Sequence, residues 1–352
     1  MICIEALNNY SGYSRLAHYM ANYLIDNHIP ICFNTQTSFN PRFGNANFSY
    51  ECLPPADLHT DMPEAYPHIT VSIPSKFKRY SKYKHILYTT TETKNLQDKN
   101  FIHKCNEADE LYTISYSCKD TLIAAGVVIP IHIIYPIVPK ALTEEQIIIS
   151  NAKSYKFLFL SSWMPKKGIY EMLTAYIQAF TSKDDVSLIL KTNINQPKYI
   201  FNLYLKLARQ QHRVEESLPH ILIQNTPINE VDKSKLYNSI DALIHLFKCG
   251  GFEYTIAEAR AHGKPVITTN FLPEILDDSM DVVELQDLEY VSMEQQKGIP
   301  IYENSLWSQF TQEHIDIAAD IMRFYYNHNI NSAPISNRFS TNTRLLEQIK
   351  KI

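Results

Sequence analysis

Short apolar runs alternate along this chain with longer stretches whose apolar positions recur three and four residues apart. That is the pattern of buried strands followed by helices packed on a sheet. Ile2 to Ala6 is the first such run, and Asn8-Asn9-Tyr10-Ser11-Gly12 turns it into a helix with Leu16, Met20 and Leu24 on one face and Ala17 and Ala21 beside them. Strand signals follow over 29–34, 69–73, 86–89, 111–114 and 131–135, with a helix over 118–125. Between 35 and 67, Asn, Pro and Ser without periodicity predict a surface loop. Pro136, Pro139 and the polar run from Glu144 to Lys156 predict a linker between domains. The same order then restarts: a strand over 157–160, a helix with Ile169, Met172, Leu173, Tyr176 and Phe180 on one face, a strand over 186–190, a helix over 199–211, a strand over 220–224 and a short helix over 231–239. Strands alternating with helices make α/β domains with parallel sheets.

The chain is organised around 239–268. Its apolar run Ala242 to Leu246 enters a glycine pair, Gly250 and Gly251, and leaves into a helix ending near His262. Paired glycines let backbone approach a ligand, and the following helix offers unpaired N–H groups to an anion or polyol. Thr255 and Glu258 have the T-x-x-E spacing of a capping box, and Gly263-Lys264-Pro265 closes the helix. Ligands of open α/β sheets gather at the carboxyl ends of strands, which points to Glu92 in Thr89-Thr90-Thr91-Glu92-Thr93 and to Lys191-Thr192-Asn193. Glu92 could equally serve as a charge at a helix N-terminus. Lys166 and Lys167 open a helix against its dipole, a choice explained by an anion between them or by simple exposure to solvent. The run from Lys76 through Lys78, Arg79, Lys82 and Lys84 interleaves five cations with aromatics. It suits a phosphate-bearing acceptor or nucleic acid, or a solvated face.

A chain of 352 residues, 45% apolar and 20% charged, is an ordinary globular composition with room for two cores. A formal charge of -4 gives no general attraction to nucleic acid or an anionic membrane. No apolar run approaches the roughly 18 residues of a membrane span, and the start of the chain reads as a core strand, so a cytoplasmic protein is expected. The six cysteines, Cys3, Cys32, Cys52, Cys105, Cys118 and Cys249, show no C-x-x-C pair and no histidine at metal-ligand spacing. Most read as buried thiols; Cys249 abuts the glycine turn.

The run G-G-F-E-Y-T-I-A-E-A-R-A-H-G-K-P-V-I, residues 250–267, resembles the donor-binding signature E-G-F-G-x-x-x-x-E-A-x-A-x-G-x-P-V of family 4 retaining glycosyltransferases. Two departures stand out: Gly250 replaces the first glutamate, and Glu253 replaces the last glycine of G-F-G. Ser162 to Gly168 resembles the family's stretch in which an arginine is followed a few residues later by K-G, with Lys167 at the lysine and Ser162 at the arginine, so that Lys166 is the substitute cation. Y-T-T-T-E-T with the later N-E-A-D-E and A-A-G-V resembles a further variant of the family.

The resemblance implies a GT-B fold: two Rossmann-like domains with parallel sheets facing a cleft, one acceptor-side over 1–145 and one binding a nucleotide-sugar over 155–335. A C-terminal helix over 338–352 would return to brace the first. It implies a donor site at Gly12, Ser162, Asn193, Ile228, Gly250, Gly251, Phe252, Tyr254, Thr255 and Glu258. In it Glu258 holds ribose hydroxyls and the backbone near Ile228 receives the base. Helix capping by Glu258 and a plain turn at Gly12 are the competing readings. Catalysis would rest on Lys167, Lys166 and Glu253, with Glu92, Lys76 and Arg79 toward the acceptor and no metal or other cofactor. The implied activity is retaining transfer from a nucleotide-diphosphate sugar to a carbohydrate or lipid-linked acceptor. Two other functions fit the same residues: a phage-type transferase acting on hydroxymethylated DNA bases, and a non-catalytic binder of nucleotide-sugars.

Overall fold

The computed structural model describes residues 1–7, 11–36, 66–79, 83–193, 196–291 and 304–352. The loop expected over 35–67 lies outside these residues apart from its ends, as do residues 8–10 of the first turn and residues 80–82 of the basic run. Two compact units divide the chain. The first comprises Met1–Pro139, Val291–Ser305 and Arg338–Ile352, the second Lys140–Tyr290 and Leu306–Asn337.

Six strands form the first unit's sheet: β1 (Ile2–Leu7), β2 (Ile31–Gln36), β3 (His68–Val71), β4 (His85–Tyr88), β5 (Glu110–Thr113) and β6 (Ile131–Ile133). All pair in parallel, in the order β2-β1-β3-β4-β5-β6. Helices α1 (Gly12–Asp26), α2 (Lys99–Asn106) and α3 (Tyr116–Ala125) connect them. Each begins on a side chain that satisfies an otherwise unpaired N–H: Ser11 for Ser14, Asp98 for Asn100 and Phe101, Ser115 for Cys118.

The second unit repeats the plan with β7 (Tyr155–Leu160), α4 (Ile169–Ala179), β8 (Val186–Lys191), α5 (Pro197–Gln210), β9 (His220–Gln224), α6 (Glu230–Ser239), β10 (Ala242–His245), α7 (Tyr254–Ala261), β11 (Val266–Thr269) and β12 (Met280–Val283). Its sheet, also parallel, runs β12-β11-β10-β7-β8-β9. A two-stranded hairpin of β13 (Leu288–Tyr290) and β14 (Leu306–Ser308) follows, then α8 (Gln312–Asn327), which packs on α4. Phe157, Phe159, Tyr176, Phe180, Leu188, Ile244 and Met322 fill the core. The last helix, α9 (Thr343–Ile349), belongs to the first unit, where Asn342 Nδ2 donates to Tyr135 O at 2.6 Å.

The polar run after Glu144 is not a free linker. Ile147 N donates to Ser239 Oγ at 2.7 Å, and Asn238 Nδ2 donates to Thr143 O at 2.7 Å and Glu145 O at 2.9 Å. Hydrogen-bonding side chains on α6 give this stretch partners that its composition does not reveal, so it is strapped to the second unit.

Strand order decides where the second unit can bind. Its chain turns to one side after β7 and to the other after β10, and these two strands are neighbours. Their carboxyl ends diverge, leaving the crevice in which doubly wound sheets hold ligands.

Candidate functional site

The segments leaving β7 and β10 are sewn together at that crevice. Lys248 N donates to Lys166 O at 2.8 Å, and Thr255 Oγ1 donates to Leu160 O at 3.0 Å. Gly168 sits between them at φ +64°, where a Cβ would stand 1.6 Å from Leu246 O, so the approach requires glycine. Lys166 and Lys167 occupy a 3-10 turn (Pro165–Lys167) ahead of α4 rather than its first turn, because left-handed Gly168 restarts the chain as the helix cap.

Lys167 Nζ lies 2.6 Å from Glu253 Oε1, and His245 Nε2 lies 2.9 Å from Glu253 Oε2. Lys166, Glu253 and His245 are buried, Lys167 nearly so. Burial alone would push the Glu253 carboxyl upward, but the Lys167 charge and the His245 hydrogen bond outweigh it and hold the group well below the ordinary carboxylate range. For His245, burial dominates and pushes the imidazole down, against the opposing pull of Glu253. A Cβ at Gly250 would meet Glu253 Oε1 at 2.1 Å. The carboxylate from residue 253 therefore lies where a side chain from residue 250 would begin. Sequence reasoning overlooked His245; its signal was one imidazole in the otherwise apolar run Ala242 to Leu246.

Thr255 and Glu258 do not form a capping box. The helix begins at Tyr254 with Glu253 at the cap position, so Thr255 already lies in the first turn, bonded to Leu160. Glu258 is turned toward α6: Oε1 is 2.7 Å from Lys233 Nζ, and Oε2 accepts from Tyr237 Oη at 2.9 Å. A carboxylate that is only 4% exposed needs such partners. Phe252 and Tyr254 set their rings edge to face at 5.0 Å beside buried Gly250 and Gly251.

Along the β8 side, Trp163 N donates to Asn193 Oδ1 at 3.1 Å, joining the Ser162 loop to the end of β8. Buried Lys191 donates to Thr226 O, and burial pushes its ammonium below the usual lysine value. Ile228, two residues on, is half-buried.

The remaining candidates lie in the first unit. Gly12 is the exposed first residue of α1, and a Cβ there would meet nothing within 4 Å among the described residues. Tyr13 Oη is 3.1 Å from Thr89 Oγ1; burial first, then the nearby Glu92 charge, pushes the phenol up. Thus Glu92 and the start of α1 share the carboxyl edge of that sheet. Arg79 does not join them. It forms a fork with Asp109, both contacts at 2.9 Å, just before β5, and Lys84 pairs with Glu110 at 2.6 Å. In a parallel sheet the starts of strands lie on the opposite edge from their ends, which separates Arg79 from Glu92. Lys76 is exposed in a 3-10 turn (Pro74–Lys76) after β3.

Among the described residues no group of three or more His, Cys, Asp or Glu side chains could hold a metal ion, and no helix is long and apolar enough to cross a membrane. No protein-family model and no curated protein matches this chain. Solved structures do. HepE from Anabaena, in complex with UDP-glucose, is 13% identical over 100% of this chain and 99% of its own, with a TM-score of 0.56. A glycosyltransferase from Rickettsia africae ESF-5 is 15% identical over 99% of this chain and 97% of its own, with a TM-score of 0.57. The pneumococcal O-GlcNAc transferase GtfA, in complex with UDP and GlcNAc, is 10% identical over 82% of this chain and 56% of its own, at 0.54. The fold is α/β with two parallel six-stranded sheets, the GT-B fold of glycosyltransferases.

Proposed function

We propose that this protein is a glycosyltransferase, moving a sugar from a nucleotide-diphosphate donor to an acceptor hydroxyl with retention of configuration, and that the acceptor is a glycan or lipid-linked glycan. The observation that carries the reading is the Lys167–Glu253 pair, 2.6 Å apart at the crevice between β7 and β10. A buried cation beside a buried carboxylate suits a ligand with both a diphosphate and a polyol. When the glycosidic bond of the donor breaks, charge accumulates on the β-phosphate. Lys166 and Lys167 would stabilise it, while Glu253 would accept hydrogen bonds from sugar hydroxyls. One such contact is worth about 3 kcal/mol, roughly a hundredfold in rate.

The lysines supply the cationic charge themselves, so transfer should survive chelation by EDTA. Pairing of Arg79 and Lys84 with Asp109 and Glu110 weighs against a DNA groove, since those cations are already neutralised. On the first unit, Glu92 is the proposed contact for the acceptor.

A thermal-shift screen of nucleotide-sugars tests the reading, because a ligand that binds only the folded state must raise the melting temperature. We expect one donor class to raise it and to release nucleoside diphosphate when an acceptor glycan is added. A shift with no transfer and no donor hydrolysis would leave a binding protein; neither shift nor release from any donor would sink the proposal.

A further inference from the structure

We infer that His245 is a positioning residue whose Nε2–H holds the Glu253 carboxylate over Gly250, leaving Oε1 for Lys167 and for the donor sugar. The inference rests on the transferase reading for its consequence but on separate geometry for its substance.

The tautomer follows from burial. His245 Nδ1 is buried and has no hydrogen-bond partner among the described residues, whereas Nε2 faces a carboxylate oxygen at 2.9 Å. A proton on Nδ1 would lose its bond and set two lone pairs, on Nε2 and Oε2, against each other; a proton on Nε2 makes the contact attractive. The ring has little freedom to turn. Phe159 stacks on it with centroids 5.8 Å apart and an interplanar angle of 22°, and Phe247 lies at 5.7 Å and 32°. Its own strand is pinned beside β11, where Thr268 Oγ1 donates to His245 O at 3.0 Å. The charged groups facing the imidazole are Glu253 and, beyond it, Lys167; Phe159 on β7 and Thr268 on β11 bring no charge.

Such an arrangement has a purpose that packing alone does not supply. Lys167 is the one of the two partners a diphosphate would attract, and its departure toward the phosphate would release Oε1. His245 carries no cationic charge to surrender and keeps its grip on Oε2. The carboxylate then stays in place while its other oxygen changes partner, and small displacements there are costly because a misplacement of about 1 Å can cost about a hundredfold in rate.

The test combines three variants with one measurement that needs no turnover. His245→Leu should lower kcat by at least about tenfold with little change in nucleoside diphosphate affinity, and His245→Gln, which keeps a donor at the same reach, should recover most of the loss. Combined with Glu253→Gln, the His245→Leu loss should largely disappear, since both act through one carboxylate. Imidazole 15N shifts of the native protein should report the Nε2–H tautomer. Should His245→Leu match the native rate, should the two losses multiply, or should the proton reside on Nδ1, the positioning role is overturned. A native protein that transfers no sugar removes the transferase reading, and the tautomer still decides the geometry of His245.

Discussion

Gly250 and Glu253 compete for one space, since a Cβ on residue 250 would stand 2.1 Å from Glu253 Oε1. The backbone at Gly250 is not left-handed, so the clash alone decides what alanine would do there. Gly250→Ala should push the carboxylate off both Lys167 and His245 and cut transfer by about tenfold or more. Adding Glu253→Gly removes the clash, and the double variant should melt higher than Gly250→Ala while remaining inactive. Gly250→Glu with Glu253→Gly returns a carboxylate from the other position and should recover part of the rate. Equal melting temperatures for Gly250→Ala and the native chain would show that the two residues do not share this space.

Lys167→Ala should affect rate and stability by separable routes. Loss of the cation at the donor phosphate should lower transfer at least about tenfold. The same change leaves Glu253 buried with only His245, and breaking a buried pair typically costs about 3 to 5 kcal/mol. Glu253→Gln in the Lys167→Ala background should restore much of that stability without restoring transfer. Urea unfolding beside steady-state kinetics checks both; full activity in Lys167→Ala would remove the residue from the mechanism.

Glu258 is expected to show itself in stability first. Both of its oxygens are occupied by α6, through Lys233 and Tyr237, and Lys233 also meets Glu230 at 2.7 Å. Glu258→Ala removes one carboxylate from a buried ammonium, leaving Glu230 as its remaining acidic neighbour, and should destabilise by about 3 kcal/mol, less when Lys233→Met is present too. A loss the same size with and without Lys233 would contradict the pairing.

Much of this arrangement was legible in the amino-acid order, and what escaped did so for physical reasons. Strands such as 157–160 and 186–190 announce themselves because buried parallel strands are nearly continuous apolar runs. Gly168 and Gly250 marked both segments at the crevice, since a Cβ would overlap the Leu246 backbone at the first and the Glu253 carboxylate at the second. Pairing across the fold is another matter. Glu253 meets Lys167 across 86 positions of chain, and no local spacing distinguishes that contact from the Thr255-x-x-Glu258 pattern, which looked like a cap and is not. Helix α8 carries Ala318, Ala319, Met322 and Tyr325 at helical spacing, but small side chains make a faint apolar stripe. The strapping of residues 142–147 to α6 depends on Ser234, whose Oγ accepts from Leu142 N at 3.2 Å, and on Ser239 and Asn238, polar residues that composition assigns to solvent.

Acid should destabilise the first unit well above the ordinary carboxylate range. Burial is the main cause pushing His18 and His85 from 6.5 to about 4, with the charges of His68 and Arg79 adding to the effect at His85. A folded value below the unfolded one means that the unfolded chain binds more protons between the two. The stability these histidines contribute is therefore complete above about pH 6.5 and is lost as pH falls toward about 4. Each accounts for about 3 kcal/mol over that window. His85 cannot escape cheaply by turning outward, because Nε2 bonds Thr70 Oγ1 at 2.9 Å and Thr70 in turn donates to buried Glu5 at 3.1 Å. Hydrogen exchange followed strand by strand should show β1, β3 and β4 losing protection between pH 6.5 and 4, and His18→Phe should flatten part of that slope. Protection that stays level through this range would mean that these imidazoles titrate as freely in the fold as in the open chain.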